Sequence, residues 1–291
     1  MNYKTLWTVL RQSFSAWSKH EAPTLGAALS FYAILSLAPL VILAISMAAL
    51  IFGRSAAQHE LLGQVESMMG HQGSEAVKAM IEHAQKPASS AFASIIGVIT
   101  LLFGASGAFG ALRSALNKMW DVQPNGDGGF WATIKKNVFS FGMVLSVGFL
   151  LLVSLVMSAA LGVLGKYFGG LLPMPEFALQ IINIVVSLAG VSVLFALIFR
   201  YVPDVRMPWR GLWVGATVTA LLFTIGKFLI GLYMGKAAVG SAYGAAGSLV
   251  VIIVWVYYSG MIFLFGAEFT MCWANAQGPC RQASPRNLSL S

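Results

Sequence analysis

One charge stands inside an otherwise uncharged apolar run: Lys227, within residues 211–235. An ammonium at the centre of a bilayer costs about 2.5–3.5 kcal/mol, so a lysine held there serves a partner or a ligand. The chemistry open to it is capture of an anion. Downstream, Lys236 and a series of small residues, Gly240, Ser241, Gly244, Gly247 and Ser248, open the next apolar segment. A helix starting there offers free amide hydrogens and a positive dipole end to a phosphate or carboxylate. Two plainer roles stay open. Lys227 lies about 24 Å along a helix counted from residue 211, hence about 6 Å from the far edge of a 30 Å hydrocarbon core, within reach of headgroups by snorkelling. The small residues also suit close helix packing.

Other polar groups are sparse. Gln180 and Asn183 sit in an apolar run, where they line a polar path or bond across helices. Glu268 stands at the end of the last apolar run and Asp204 lies between Arg200, Arg206 and Arg210, so ion pairs among these five are expected. His59, His71 and His83 recur at intervals of 12, which turns each by roughly 120° on a helix and keeps them from converging on a metal. Cys272 and Cys280 are not spaced as a CxxC pair. Phosphate-binding glycine loops, nucleophile elbows and zinc signatures are absent from the sequence. No catalytic residue, metal or cofactor is therefore expected.

The elements that must position these residues follow from where charge is missing. Only 10% of the 291 residues are charged and 58% are hydrophobic, with a mean hydropathy of +0.78. A soluble fold of this size needs about 25% charged residues to cover its surface, which excludes a cytosolic enzyme or a disordered chain. Uncharged or nearly uncharged runs at 26–53, 90–112, 137–165, 177–199, 211–235 and 245–268 are each long enough to span a bilayer. The expected fold is all-α, a polytopic membrane helix bundle with six transmembrane helices. Pro39 is expected to bend the first of them. Twelve of the 18 basic residues fall in the N-terminal segment, alternate loops and tail, against five on the other side. Lys and Arg mark the cytoplasmic face, so both termini are placed there. Seven of the eight tryptophans lie on or beside the same face. The net charge of +8 is thus topology, and nucleic acid is not an expected partner.

The chain reads as one membrane domain over 1–291. Within it, 1–25 is a cytoplasmic amphipathic segment, 54–89 an external helical loop and 272–291 a cytoplasmic tail. Trp7, Leu10, Phe14 and Trp17 recur at helical spacing among Lys4, Arg11 and Lys19, which suits a helix on an anionic inner leaflet or one packed under the bundle. In 54–89, Gly70 and Gly73 separate two amphipathic stretches.

AALSFYAILSLAPL at 27–40, LRSALNKMWDV at 112–122, RYVPDVRMPWRGLWVGA at 200–216 and GAEFT at 266–270 resemble the YihY/BrkB family of bacterial inner-membrane proteins. The resemblance runs through nearly the whole chain. It implies six helices, cytoplasmic termini and a role in handling envelope lipids, and it carries the labels ribonuclease BN, virulence factor and serum resistance. It assigns no catalytic or binding residue. The residues speak against a nuclease, since the cytoplasmic loops hold Asp121, Asp127 and Asp204 and no histidine. The expected function is transport, the export or flipping of an anionic lipid or amphiphile at Lys227, Lys236, Gly240, Ser241, Gly244 and Gly247. The alternative is a structural or assembly protein of the envelope, with a second copy or an envelope protein as partner.

Overall fold

The computed structural model describes residues 3–85, 104, 107–122, 176–205, 207–236 and 247–277. All regular structure among them is helical. The elements are α1 (Tyr3–Lys19), α2 (Ala22–Phe52), α3 (Arg54–Gln85), α4 (107–119), α5 (Glu176–Tyr201), α6 (Trp209–Lys236) and α7 (Gly247–Gln277). The expected helix at 137–165 lies outside the described residues, as does the tail beyond residue 277. Helix α2 runs unbroken past Pro39, and α7 continues nine residues beyond Glu268. Glu268 therefore does not end the helix, contrary to what its place at the end of the apolar run suggests. It is instead buried within the helix.

Helices α6 and α7 form the closest antiparallel pair, with α5 on α6 and α2 on α7. Their interface is built from small residues in register. Gly211 lies against Ala274, Gly215 against Thr270, and Thr219 against Gly266. Each step of four up α6 matches a step of four down α7. A Cβ at Gly215 or Gly266 would overlap the opposing threonine. Between apolar helices in lipid, such backbone approach supplies the packing energy that water cannot. The threonine hydroxyls donate to carbonyls of their own helices, Thr219 to Gly215 and Thr270 to Gly266, so neither hydroxyl is left open in the seam. Gly26 on α2 likewise lets α7 approach at Gly260.

Aromatic rings fill the space where α5, α6 and α7 meet. Phe195 packs against Phe199, Phe223 and Phe263 at centroid distances of 6.3, 5.6 and 5.8 Å. Outward, Leu221, Ile225, Phe228, Leu229 and Leu232 of α6 are exposed, an apolar stripe that water does not tolerate and lipid does.

Helix α1 buries Val9 and Ser13, with Val9 packed near Phe269 and Trp273 of α7, and leaves Trp7 and Phe14 exposed. The helix packs on the bundle, the second of the two sequence alternatives, and turns aromatic side chains outward. Helix α3 covers the other end, where Ala57, Met69, Val77 and Ile81 pack on Val41 and Ile45 of α2 and Ile252 of α7. It breaks at Gly70, whose φ of 74° and ψ of 179° favour a residue without a Cβ.

Candidate functional site

Among the described residues, polar contacts between elements concentrate at the end of the bundle away from α3. Three chain reversals bring them together. Between α1 and α2, Glu21 takes a left-handed φ of 56° and Pro23 starts the next helix, which turns the His20 ring inward. Helix α4 ends with Asp121 at φ 51° and a bond from the Val122 amide to the Asn117 carbonyl. That is a Schellman-type stop, in which Asp is one of the few residues other than glycine to accept the left-handed position. Val122 then packs on the core. The third reversal, between α5 and α6, carries Asp204.

The Asp204 carboxylate receives the Arg113 guanidinium through Nε at 3.0 Å and through Nη2, and the Asn117 amide at 2.7 Å. Asn117 also accepts the Asp204 backbone amide at 3.0 Å. The bidentate arginine fixes angle as well as distance, so the α5–α6 loop is locked to α4. Arg200 donates to the Met207 carbonyl and lies 5.4 Å from the Trp209 ring, a cation–π contact at the start of α6. Lys118 binds Glu21 at 2.7 Å, and its hydrogen bond and charge hold the Glu21 carboxyl below the usual carboxylate range.

At the centre, His20 Nδ1 lies 2.5 Å from Glu268 Oε1 and its Nε2 lies 3.4 Å from Asp121 Oδ1. Glu268 is buried on α7. A buried carboxylate is costly without a charged or hydrogen-bonding partner, and the imidazole supplies one. The ring lies between the two acids, so the three groups do not face one common point, and no metal-ligand cluster occurs among the described residues. Two indoles also bond to α7: Trp120 donates to the Ala267 carbonyl at 3.0 Å and Trp17 to that of Met261 at 3.3 Å.

The sequence-selected residues fall into three groups. Asp204, Arg200 and Glu268 share this layer, but with other partners than each other: Arg113, Met207 and His20. Arg210 is exposed beside it, and Arg206 lies outside the described residues. Lys227 is half-buried on α6, ten residues and about 15 Å of helix from the level of Glu268. No acid among the described residues pairs with it. Gly247 starts α7 and is buried, and Lys236 ends α6. Gly240, Ser241 and Gly244, with the side chains of Lys236, Gln180 and Asn183, lie outside the described residues. Sequence reasoning missed His20, Arg113 and Asn117. Glu268 could have signalled the first, because an acid in a span calls for a partner.

Two described segments, Trp209–Tyr233 and Leu249–Ala276, are long and apolar enough to cross a membrane. With the outward apolar stripe of α6, they are the features of a helical membrane protein. Residues 13–289 match the family described as virulence factor BrkB, and the chain belongs to that family. A UPF0761 membrane protein of Verminephrobacter eiseniae is 31% identical over 276 residues, 92% of this chain and 62% of the relative. A UPF0761 membrane protein of Pseudomonas aeruginosa is 27% identical over 281 residues, 93% of this chain and 64% of the relative. The chain thus spans less than two thirds of the length of these two. YfkH of Bacillus subtilis, named as ribonuclease-like, is 23% identical over 263 residues, 89% of this chain and 92% of the relative. No solved structure matches.

Proposed function

We propose that this is a multi-pass protein of the bacterial inner membrane, with six spans and cytoplasmic termini, that moves an anionic lipid or amphiphile between leaflets without catalysing a covalent reaction. The observation that carries the reading is Lys227: half-buried on a span-length helix, between the α7-facing Gly226 and the exposed Phe228, with no acid paired to it among the described residues. An ammonium so placed favours an anionic headgroup that travels along the bundle. Lys236 and the glycine-rich approach to α7 complete the anion contact, while the polar layer around Glu268 closes the cytoplasmic end.

The test is reconstitution of the purified chain in liposomes with fluorescent phosphatidylglycerol and, separately, phosphatidylcholine, read by quenching of the outer leaflet. The native chain moves phosphatidylglycerol faster. Lys227→Met slows it by about tenfold or more, and Lys227→Arg restores most of the rate. A folded Lys227→Met protein with full activity removes Lys227 from the mechanism.

A structural or assembly role is the second reading, favoured by the close Gly–Thr seam and the aromatic packing of α5, α6 and α7. A chain that moves neither lipid supports it. The ribonuclease-like name belongs to the Bacillus subtilis relative, and RNA left uncut by the purified chain with added magnesium or manganese would keep it there.

A further inference from the structure

Asp121, His20 and Glu268 form a series of graded burial. Their side chains are 85%, 11% and 2% exposed. The acid at the surface faces one ring nitrogen and the acid inside the bundle faces the other. We propose that this series is a proton-binding site, loaded from solvent through Asp121 and His20 onto Glu268, and that under the transport reading above it supplies the coupling ion.

The geometry of the ring carries the inference. Both imidazole nitrogens face carboxylates, and a neutral ring can donate to only one of them while setting its lone pair against the other. The doubly protonated ring satisfies both. When one proton leaves, either the buried carboxylate loses its donor or two acids oppose each other across a ring that serves one. A proton taken up at Nε2 from solvent or Asp121 lets the Nδ1 proton pass to Glu268 Oε1, and the reverse transfer returns it. No other bond changes. The occupancy of one proton therefore decides how firmly the α1–α2 turn and the end of α4 are held to α7.

The neighbouring charges are committed elsewhere. From the α1–α2 turn, Glu21 is held by Lys118 of α4. Also from α4 and the α5–α6 loop, Arg113 and Asp204 hold each other. Helix α6 faces this level of α7 with Gly211 and Gly215, and α1 with Ser13, which donates to Val9. On α7 itself Cys272 stands one turn beyond Glu268. Among the described residues, His20 is the one group that pairs with Glu268.

Infrared difference spectra of the full-length protein in detergent, between acid and alkaline buffers, test the site directly. A carboxyl C=O band of a buried acid is expected to titrate in the native protein, to vanish in Glu268→Gln, and to move its midpoint by about one pH unit or more in His20→Gln. A native spectrum without such a band, or a band unchanged in Glu268→Gln, overturns the proposal. If Glu268→Gln does not fold, an unmoved midpoint in both His20→Gln and Asp121→Asn overturns it equally. Movement of fluorescent phosphatidylglycerol under an imposed pH gradient separates the two readings. A titrating band in a protein that moves no lipid upholds the proton site and removes transport; lipid movement with no titrating band does the reverse.

Discussion

The two ends of the bundle are held by different physics. At the polar end, α4, α7 and two reversals are fixed by directional contacts between residues far apart in sequence, with Arg113, Asn117 and Asp204 at one corner and His20 with Glu268 at another. At the other end, α3 lies on α2 and α7 through Val41, Ile45, Val77, Ile81 and Ile252, a contact of shape and hydrophobicity without ion pairs to the bundle among the described residues. Its polar contacts stay mostly on its own surface, as where His71 lies 3.5 Å from Glu66 and 3.4 Å from Glu75. A directional network tolerates little displacement. An apolar cap can slide or lift with smaller penalty. The difference assigns rigidity to the polar end and freedom to α3.

Breaking the Asp204 cluster is expected to give the largest stability change of the three that follow. Asp204→Ala strips the acceptor from Arg113 and from the Asn117 amide at once, leaving a charged donor and a buried amide unsatisfied. The expected loss is about 2–3 kcal/mol of unfolding free energy, read from denaturation in mild detergent mixtures. Arg113→Ala combined with it should cost less than the two separate losses added, because the second change removes a group already orphaned. Additive losses would mean that the corner is not one network.

That cluster also shows what the sequence could disclose. The apolar helices were legible, because a run without charge has few states available to it other than a span. Helices α2, α5, α6 and α7 occupy the runs expected for them, while the limits of α7 were misjudged at Glu268. A charge marks a helix boundary only where no distant group pairs with it inside the fold. His20 is 248 positions from its partner, and Arg113 is 91 from Asp204. Local patterns carry no trace of such separations. Of the arginines near Asp204 in sequence, Arg200 is engaged by Met207 and Trp209, and Arg206 lies outside the described residues. In contrast, the break in α3 was announced locally, by glycines between two apolar periodicities.

A smaller effect is expected at that break. Gly70→Ala places a Cβ on a residue at φ 74° and ψ 179°, a region left almost wholly to glycine, but with no atom near enough to clash. The cost is therefore backbone strain alone, about 1 kcal/mol once α3 relieves part of it by shifting on its apolar contacts. Hydrogen exchange should show faster opening confined to α3, with the amides around Asn117 and Glu268 unchanged. Loss of protection at both ends would erase the distinction between them.

The smallest expected effect lies at the rim of the polar end, where Lys118 meets Glu21. The Lys118 hydrogen bond, and then its charge, lower the Glu21 carboxyl from its ordinary 4.5. A folded value below the unfolded one means that the pair contributes stability above the ordinary carboxylate range and loses it as pH falls through the folded value. Both side chains are largely exposed, so solvent screens the pair and the change is small. Carboxyl NMR of selectively labelled protein should show Glu21 titrating below other exposed glutamates, and Lys118→Ala should bring it back among them. If Glu21 titrates low without Lys118, the left-handed turn itself is the cause, and the rim owes its order to backbone geometry in the way that α3 owes its break to Gly70.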